Sequence, residues 1–263
     1  MRHNCLLPAL LWILLLAGCG NESTTDRTPA DPMKPLLATI QDEVAERGEA
    51  PDQYYEKEYR PQEPLYWSKI AGWIVEDAIV RHYPRIEPML RILDLGCGFG
   101  TLLSFATTMY GGEGVCVDIV PYLQEKRNVL NKYHIFFIEG DIERNVLPVT
   151  GEFEVIILTE VLEHLNFQPI PTLRKIWNVL ADGGSFFLST PDSDTEWGRN
   201  YLYHEKLSDI PPLDPSADWI DDHVWHYNRE ELIQVLTEAG FEIKRIEHSQ
   251  SGGGGHFNVW ASK

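Results

Sequence analysis

Basic residues are scarce in this 263-residue chain, where 22 Lys and Arg face 40 Asp and Glu, giving a formal net charge of -18. Binding to a phosphate backbone depends on cations that replace condensed counterions, so this balance argues against duplex nucleic acid as a partner. Cysteine is scarce too, with only Cys5, Cys19, Cys97 and Cys116. Four scattered cysteines exclude a disulfide framework and a zinc-finger-type cluster.

Long hydrophobic runs are also missing. The longest, Leu6–Leu16, is broken by Pro8 and is shorter than the roughly 20 apolar residues that a membrane-spanning helix needs. It follows a basic residue, Arg2, and is typical of the apolar core of a secretory signal.

The run ends in Leu16-Ala17-Gly18-Cys19, which resembles the processing box of bacterial lipoproteins. The resemblance implies a signal peptide over 1–18, a lipidated Cys19 and a membrane-anchored protein of the cell envelope. A Ser-, Thr-, Asp- and Pro-rich stretch follows and predicts a solvated tether over 19–40. The alternative is that translation begins at Met33, which would make the protein cytoplasmic.

Apolar patterns that alternate between strand and helix fill the rest, a domain predicted over 41–263. Such alternation predicts an α/β fold, a doubly wound Rossmann-like seven-stranded sheet with a reversed C-terminal strand pair. The predicted strands are 91–95, 114–118, 134–138, 153–158, 185–189, 241–247 and 256–261. The predicted helices include one over 65–83, one beginning near Thr101, one with Pro121 in its first turn, a stripe over 173–180, and one capped by Asn228 with Glu231 and ended by Gly240.

A glycine turn, Asp94-Leu95-Gly96-Cys97-Gly98-Phe99-Gly100, follows the first of these strands. Glycine lets the backbone approach a ligand closely, and the next helix offers unpaired N–H groups at its start. Dinucleotide sites use the spacing G-x-G-x-x-G, whereas here the third glycine comes one position early. The acid at Asp94 would repel a pyrophosphate but could hold a cationic amino group.

Two further acids follow the next two strands. Asp118 ends the second strand, where a carboxylate can accept both hydroxyls of a ribose. Asp141 follows the third strand, where it could meet an adenine amino group. Ligands of open α/β folds bind at the carboxyl edge of the sheet, so we expect the three acids to converge there.

With these motifs the chain resembles the class I S-adenosylmethionine-dependent methyltransferases over roughly 65–263. The matching segments are ILDLGCGFGTLL at 92–103, VDIV at 117–120, EGDIE at 139–143, ILTEVLEHL at 157–165 and LADGGSFFLSTP at 180–191. The resemblance implies S-adenosyl-L-methionine as cofactor. It assigns the methionine part of the cofactor to Gly96, Cys97, Gly98 and Gly100, its amino group to Asp94, its ribose to Asp118, and its adenine to Asp141 and Ile142. Ile119 is a further predicted cofactor-binding residue. The resemblance also makes Cys97 a packing residue and not a nucleophile.

The segment Glu160-Val161-Leu162-Glu163-His164 is similar to a turn in two branches of the family, the ubiquinone-type O-methyltransferases and the small-RNA 2′-O-methyltransferases. In both branches the turn is associated with a magnesium-class metal. Residues three and four apart share a helix face, so Glu160, Glu163 and His164 can converge, and His223 is the counterpart of a further His in the RNA branch. These four are the predicted ligands of Mg²⁺. The alternative is that Glu-His caps the helix, in which case His164 or His223 would be a general base beside Glu160.

An aromatic, proline-punctuated insertion over 192–227 separates the fifth strand from the last helix. A segment this long in a compact domain predicts a lid over the acceptor site, with core packing as the alternative.

The resulting hypothesis is a methyltransferase that methylates a hydroxyl of a small molecule. Three alternatives remain open: an RNA 2′-O-methyltransferase, an NAD-dependent oxidoreductase, and a non-catalytic envelope lipoprotein on a methyltransferase fold. The last has weight because S-adenosylmethionine is a cytosolic metabolite, which an exported enzyme would lack.

Overall fold

The computed structural model describes residues 33–47, 50–82, 89–249 and 255–263. The signal peptide predicted over 1–18, the Leu16–Cys19 box and most of the predicted tether lie outside the described residues. Within the described ranges, no helix combines the length and the apolar character needed to cross a bilayer.

Six α-helices and nine strands follow one another along the described chain. The helices are α1 (Met33–Ala45), α2 (Glu63–His82), α3 (Thr101–Tyr110), α4 (Arg127–Lys132), α5 (Pro169–Val179) and α6 (Arg229–Ala239). The strands are β1 (Glu46–Arg47), β2 (Ala50–Pro51), β3 (Arg91–Leu95), β4 (Glu113–Asp118), β5 (Ile135–Glu139), β6 (Phe153–Thr159), β7 (Leu180–Pro191), β8 (Glu242–Ser249) and β9 (His256–Ser262). A π-helical turn spans Tyr55–Tyr59, and 3₁₀ turns span Leu162–His164 and Leu207–Asp209.

Seven of the strands form one sheet in the order β5-β4-β3-β6-β7-β9-β8. The pairs from β5 to β7 are parallel, whereas β9 is antiparallel to both β7 and β8. The predicted α/β class is therefore confirmed, with an antiparallel C-terminal strand pair in which β9 is the reversed strand. The two short strands β1 and β2 pair separately.

Helices cover both faces of this sheet, and strand alternation explains why. Val155 and Ile157 of β6 pack in one apolar cluster with residues of α1 to α4, while Ile156 and Leu158 pack in the other with residues of α5 and α6. Successive side chains of a strand point to opposite faces, so a continuous apolar run feeds both clusters. This is why β6 lacks the alternation of a half-exposed strand.

The predicted helix boundaries hold at α6 and fail at α4. Asn228 accepts a hydrogen bond from the Glu231 backbone N–H at 2.9 Å, and Gly240 ends α6 at φ +112°. Pro121, in contrast, lies outside the helix that was predicted to contain it, because α4 begins only at Arg127. Residues 121–126 form turns instead.

The predicted tether over 19–40 differs from the structure at its end. Residues from Met33 onward are helical, and Ile40 and Val44 of α1 are fully buried. These side chains pack with α3 in the first apolar cluster. Residues 33–40 therefore belong to the folded domain, a result that the polar composition upstream of them concealed.

Candidate active site

A cavity of about 460 Å³ opens at the carboxyl edge of the sheet, where β3, β4, β5 and β6 end. Among the predicted site residues, it is lined by Asp94, Gly96, Cys97, Gly98, Asp118, Ile119, Asp141, Ile142, Glu160, Glu163, His164 and His223. Only Gly100 of the predicted set is absent from its wall. It precedes α3 at φ +80°, and a Cβ there would lie 2.8 Å from a Leu123 methyl group.

The glycine turn is tied to the end of β4. The backbone N–H of Gly98 donates to Asp118 Oδ2 at 2.8 Å, and that of Val120 donates to Asp118 Oδ1 at 2.8 Å. Gly96 has φ +75°, and a Cβ there would lie 2.3 Å from Val161 Cγ2. Glycine is therefore required at 96 both by the backbone conformation and by the segment that follows β6.

Asp94 is a buried carboxylate at the cavity, 2% exposed, and its Oδ1 has no hydrogen-bond partner among the described residues. Burial, with the nearby Asp118 second, raises the pKa of Asp94 well above its usual range. A buried carboxylate without a partner is costly, and a cationic group would relieve that cost. The site therefore fits an ammonium group at Asp94.

Asp141 faces the cavity from the loop after β5, but its carboxylate already has partners. Oδ1 accepts from the backbone N–H groups of Glu143 and Arg144 at 2.8 and 2.9 Å, and Oδ2 lies 3.3 Å from the Arg144 guanidinium. Both acceptor sites of Oδ1 are thus used, whereas Oδ2 retains a free lone pair, so a further donor from a ligand can still bind there.

Cys97 and Cys116 are joined by a disulfide between the glycine turn and β4, with 5.7 Å between their Cα atoms. Sequence reasoning made Cys97 a packing residue and expected no disulfide framework. The bridge depends on strand register, since β3 and β4 pair Asp94 with Cys116 and so place Cys116 beside the turn. That register is not visible in the spacing of the cysteines.

An aromatic wall that sequence reasoning missed closes another side of the cavity. The rings of Phe99 and Tyr122 are stacked at 4.7 Å, and the ring of Tyr59 meets Phe99 edge-on at 4.9 Å. Tyr59 belongs to the π-helical turn, an element that is frequent at functional sites. The only signal in the sequence was the density of Tyr between 54 and 66.

Three of the four predicted metal ligands converge. One ligand atom from each of Glu163, His164 and His223 lies within 4.8 Å of the other two. The cluster has its own hydrogen-bonded support, because the backbone N–H of Val224 donates to the Glu163 carbonyl at 2.7 Å. The insertion is thereby docked onto the turn that follows β6.

Hydrogen bonds on the outer side of both rings select their tautomers. His164 Nδ1 lies 3.0 Å from the Asp222 carbonyl, which can only accept, so this nitrogen carries the proton. His226 Nδ1 likewise donates to the Gly198 carbonyl at 2.8 Å, so Nε2 of the neutral His226 ring is an acceptor. His223 Nδ1 lies 2.8 Å from this Nε2 and therefore carries the proton of its own ring. In the neutral rings, Nε2 of both His164 and His223 then carries the free lone pair.

Burial keeps the rings of His164 and His223 neutral. Burial, followed by the neighbouring His164 and His226, lowers the pKa of His223 to about 4. Burial also lowers the pKa of His164. Neutral imidazoles with Nε2 lone pairs are the form that binds a metal ion.

Glu163 is fully buried, and its two oxygens differ. Oε2 accepts from Thr190 Oγ1 at 2.9 Å, while Oε1 has no partner among the described residues. Burial, with Glu160 second, raises the pKa of Glu163 well above its usual range. A divalent cation or a proton at Oε1 would satisfy it, so the donor set fits a metal ion.

Glu160, the fourth predicted ligand, does not join the cluster. Its Oε1 accepts from Ser189 Oγ at 2.6 Å, and its Oε2 lies 2.9 Å from His256 Nδ1. The prediction of Glu160 as a ligand assumed a helical face shared with Glu163. The backbone at Glu160 instead has φ +54°, and the helical turn begins only at Leu162.

The insertion over 192–227 was predicted to be either a lid over the acceptor site or part of the core, and its aromatic residues do both. Trp197 and Trp219 line the cavity, as a lid would. Trp225 and Tyr227 are buried in the second apolar cluster, which is core packing.

Comparison with known proteins agrees with this geometry. A family model described as "Methyltransferase domain" matches residues 66–246. A ubiquinone biosynthesis O-methyltransferase of Xanthomonas campestris pv. campestris (strain B100) is 30% identical over 106 residues, 39% of this chain and 44% of that enzyme. A malonyl-[acyl-carrier protein] O-methyltransferase of Halalkalibacterium halodurans is 27% identical over 153 residues, 56% of each chain. The matches thus span about half the length of these relatives.

Among solved structures, the 1,6-didemethyltoxoflavin-N1-methyltransferase of Burkholderia thailandensis, with bound 1,6-didemethyltoxoflavin and S-adenosylhomocysteine, superimposes with a TM-score of 0.56. It covers 92% of this chain and 94% of its own at 17% identity, a level that supports the fold alone. The family model covers more than half of the residues, and the sheet order and the cavity agree with it. The chain therefore belongs to the class I S-adenosylmethionine-dependent methyltransferase family.

Proposed function

We propose that this protein is an O-methyltransferase that uses S-adenosylmethionine to methylate a hydroxyl group of a small molecule. One observation carries the proposal: a single cavity is lined both by Asp94 and the glycine turn and by the cluster of Glu163, His164 and His223. In the proposed enzyme, the site of the methyl donor would therefore adjoin the site of the acceptor hydroxyl. The ubiquinone biosynthesis O-methyltransferases among the relatives support the same proposal.

The residues divide the work of holding the cofactor. Asp94 would hold the amino group of S-adenosylmethionine, Asp118 the ribose, and Asp141 with Ile142 the adenine. The bound cofactor supplies an electrophilic methyl group. The protein's own contribution is mainly orientation and exclusion of water, in which Tyr59, Phe99 and Trp197 enclose the cavity.

The cluster would hold the acceptor hydroxyl. A divalent cation bound by Glu163, His164 and His223 would lower the pKa of that hydroxyl and favour the alkoxide. One carboxylate and two imidazoles suit Mn²⁺, Co²⁺ or Zn²⁺ better than Mg²⁺, which prefers oxygen ligands. Without metal, a neutral His Nε2 is positioned to accept the hydroxyl proton.

The test is methyl transfer from labelled S-adenosylmethionine to catechol by the full chain, with each metal and with a chelator. Glu163→Gln and His164→Ala should abolish metal-dependent turnover, while His204→Ala, a histidine of the insertion outside the cavity, should not. Equal turnover with the chelator present would favour the role of the Glu-His turn as a helix cap.

A second candidate is methylation of an RNA 2′-hydroxyl, which the presence of His223 in the cluster favours. The net charge of -18 opposes it. Short RNA oligomers in the same assay discriminate, because methylation of RNA with no methylation of catechol would replace the first proposal by the second.

We also propose that the chain is held at a membrane through Cys19, with a cytoplasmic protein starting at Met33 as the alternative. The disulfide between Cys97 and Cys116 is typical of an oxidising compartment and so supports the anchored form. Methyl transfer by that form requires S-adenosylmethionine to reach the same compartment. Lipid labelling of the full chain in cells and its loss in Cys19→Ala would support the anchor, and an unlabelled protein in the cytosol would contradict it.

A further inference from the structure

Glu160 has a backbone conformation that side chains with a Cβ disfavour. Its φ is +54°, a value that only His134 shares among the described residues other than glycine. The backbone N–H of Glu160 donates to the Ser189 carbonyl at 3.0 Å, which fixes the turn just after β6. Such strain persists where the surroundings over-determine it and is frequent at functional sites.

Glu160 lines the cavity, and Ser189 and His256 contact its carboxylate. Ser189 Oγ donates to Oε1 at 2.6 Å, and His256 Nδ1 lies 2.9 Å from Oε2. His256 is the first residue of β9, is 2% exposed and does not line the cavity. The separation is a hydrogen-bonding distance between a ring nitrogen and a carboxylate, although the Nδ1–H direction does not meet hydrogen-bond geometry. Each carboxylate oxygen keeps a lone pair for a ligand.

Trp197, from the insertion, determines which nitrogen of His256 carries the proton. Its Nε1–H donates to His256 Nε2 at 3.2 Å. An indole N–H can only donate, so His256 Nε2 must present a lone pair, and the proton of the neutral ring is on Nδ1, beside Glu160. The ring of Tyr66, from α2, packs against His256 at 5.1 Å between centroids.

We propose that His256 is a positioning residue for Glu160, and that Trp197 sets the required tautomer when the insertion lies over the cavity. The positioned carboxylate then accepts a hydrogen bond from a hydroxyl or ammonium group of the methyl acceptor. This inference rests on the proposed function for the identity of the acceptor. It assigns to Glu160 a role in acceptor binding that is separate from the Glu163, His164 and His223 cluster.

The His256 ring contacts Glu160 through Nδ1 and Trp197 through Nε2, and two amide substitutions each retain only one of these contacts. In His256→Asn the amide nitrogen replaces Nδ1 and can still donate to Glu160. In His256→Gln the amide oxygen replaces Nε2 and can still accept from Trp197, but the donor to Glu160 is lost. His248→Asn is the matched control, because His248 lies on the neighbouring strand β8 and contacts Asp192 and Phe257 instead.

The experiment measures the KM for catechol, kcat and the affinity for S-adenosylmethionine in the full chain. We expect His256→Gln and Glu160→Gln to raise the KM for catechol at least tenfold with S-adenosylmethionine affinity unchanged, and His256→Asn to restore most of the loss. Equal behaviour of His256→Asn and His256→Gln, or a parallel loss of S-adenosylmethionine affinity, would overturn the proposal.

A spectroscopic measurement keeps this inference separate from the proposed function. The ¹⁵N shifts of His256, assigned with His256→Asn, should report the Nδ1–H tautomer in the unmodified protein and its loss in Trp197→Phe. An Nε2–H tautomer in the unmodified protein would overturn the inference even if catechol is methylated. No methylation of catechol, together with the Nδ1–H tautomer, would reject the acceptor class and leave the positioning role supported.

Discussion

The backbone N–H of Gly98 donates to Asp118 Oδ2 at 2.8 Å, so the carboxylate that faces the proposed ribose site also holds the glycine turn in place. Asp118 is buried, and burial raises its pKa, opposed by the backbone N–H groups of Val120 and Gly98. In the proposed complex, one side chain both binds the ligand and fixes the loop that surrounds it.

Asp118→Ala should therefore weaken S-adenosylmethionine binding about 10- to 100-fold, since a hydrogen bond to a charged group contributes roughly 1.5–3 kcal/mol. Asp118→Asn, which retains an acceptor for the Gly98 N–H, should lose less. Calorimetric titration of the full chain measures both. An unchanged affinity in Asp118→Ala would remove Asp118 from the site.

Asp94→Asn should weaken S-adenosylmethionine binding and stabilise the ligand-free protein at neutral pH. The pKa of Asp94 is raised in the folded state, so its stabilising contribution is complete below the ordinary Asp pKa of about 4 and is lost as pH rises through the folded value. Affinity for the cationic amino group should change in the opposite direction, rising with pH as Asp94 ionises.

Thermal unfolding and titrations between pH 5 and 8 test this prediction. Asp77→Asn is the control, a buried carboxylate of α2 that bonds Arg81 and Tyr110 away from the cavity. A pH dependence of affinity that is the same in Asp94→Asn as in the unmodified protein would contradict the assignment.

Reduction of the disulfide between Cys97 and Cys116 should destabilise the protein by about 3 kcal/mol, the usual effect of opening a loop of this length. Denaturation in urea with and without a reductant measures the difference. The double variant Cys97→Ser, Cys116→Ser should show no further response to reductant. Free thiols at Cys97 and Cys116 in the denatured, unreduced protein, located by alkylation and peptide mapping, would contradict the bridge.

Gly96→Ala should abolish S-adenosylmethionine binding. The new Cβ would lie 2.3 Å from Val161 Cγ2 and would require φ +75°, so the turn and the segment after β6 must both shift. Gly72→Ala in α2, where a Cβ meets nothing within 4 Å, is the control and should bind normally. Full binding by Gly96→Ala would show that the turn is not part of the cofactor site.

The strands could be predicted closely because buried parallel strands are continuous apolar runs, and Asp94, Asp118 and Asp141 could be placed because parallel strands end at one edge. The Asn228 cap is equally local. The features that were not predicted from the sequence depend on contacts between residues that are far apart in the chain. The disulfide required the β3–β4 register, and His256 approaches Glu160 only because β9 inserts beside β7. The φ of +54° at Glu160 removed a predicted ligand that a regular helix would have supplied.

The most direct test of the account is calorimetric titration of the full chain with S-adenosylmethionine, S-adenosylhomocysteine and NAD. We expect micromolar binding of the first two and no binding of NAD, since the Asp94 carboxylate beside the glycine turn would repel a pyrophosphate. Binding of NAD, or of none of the three, would contradict the assignment of this cavity to S-adenosylmethionine.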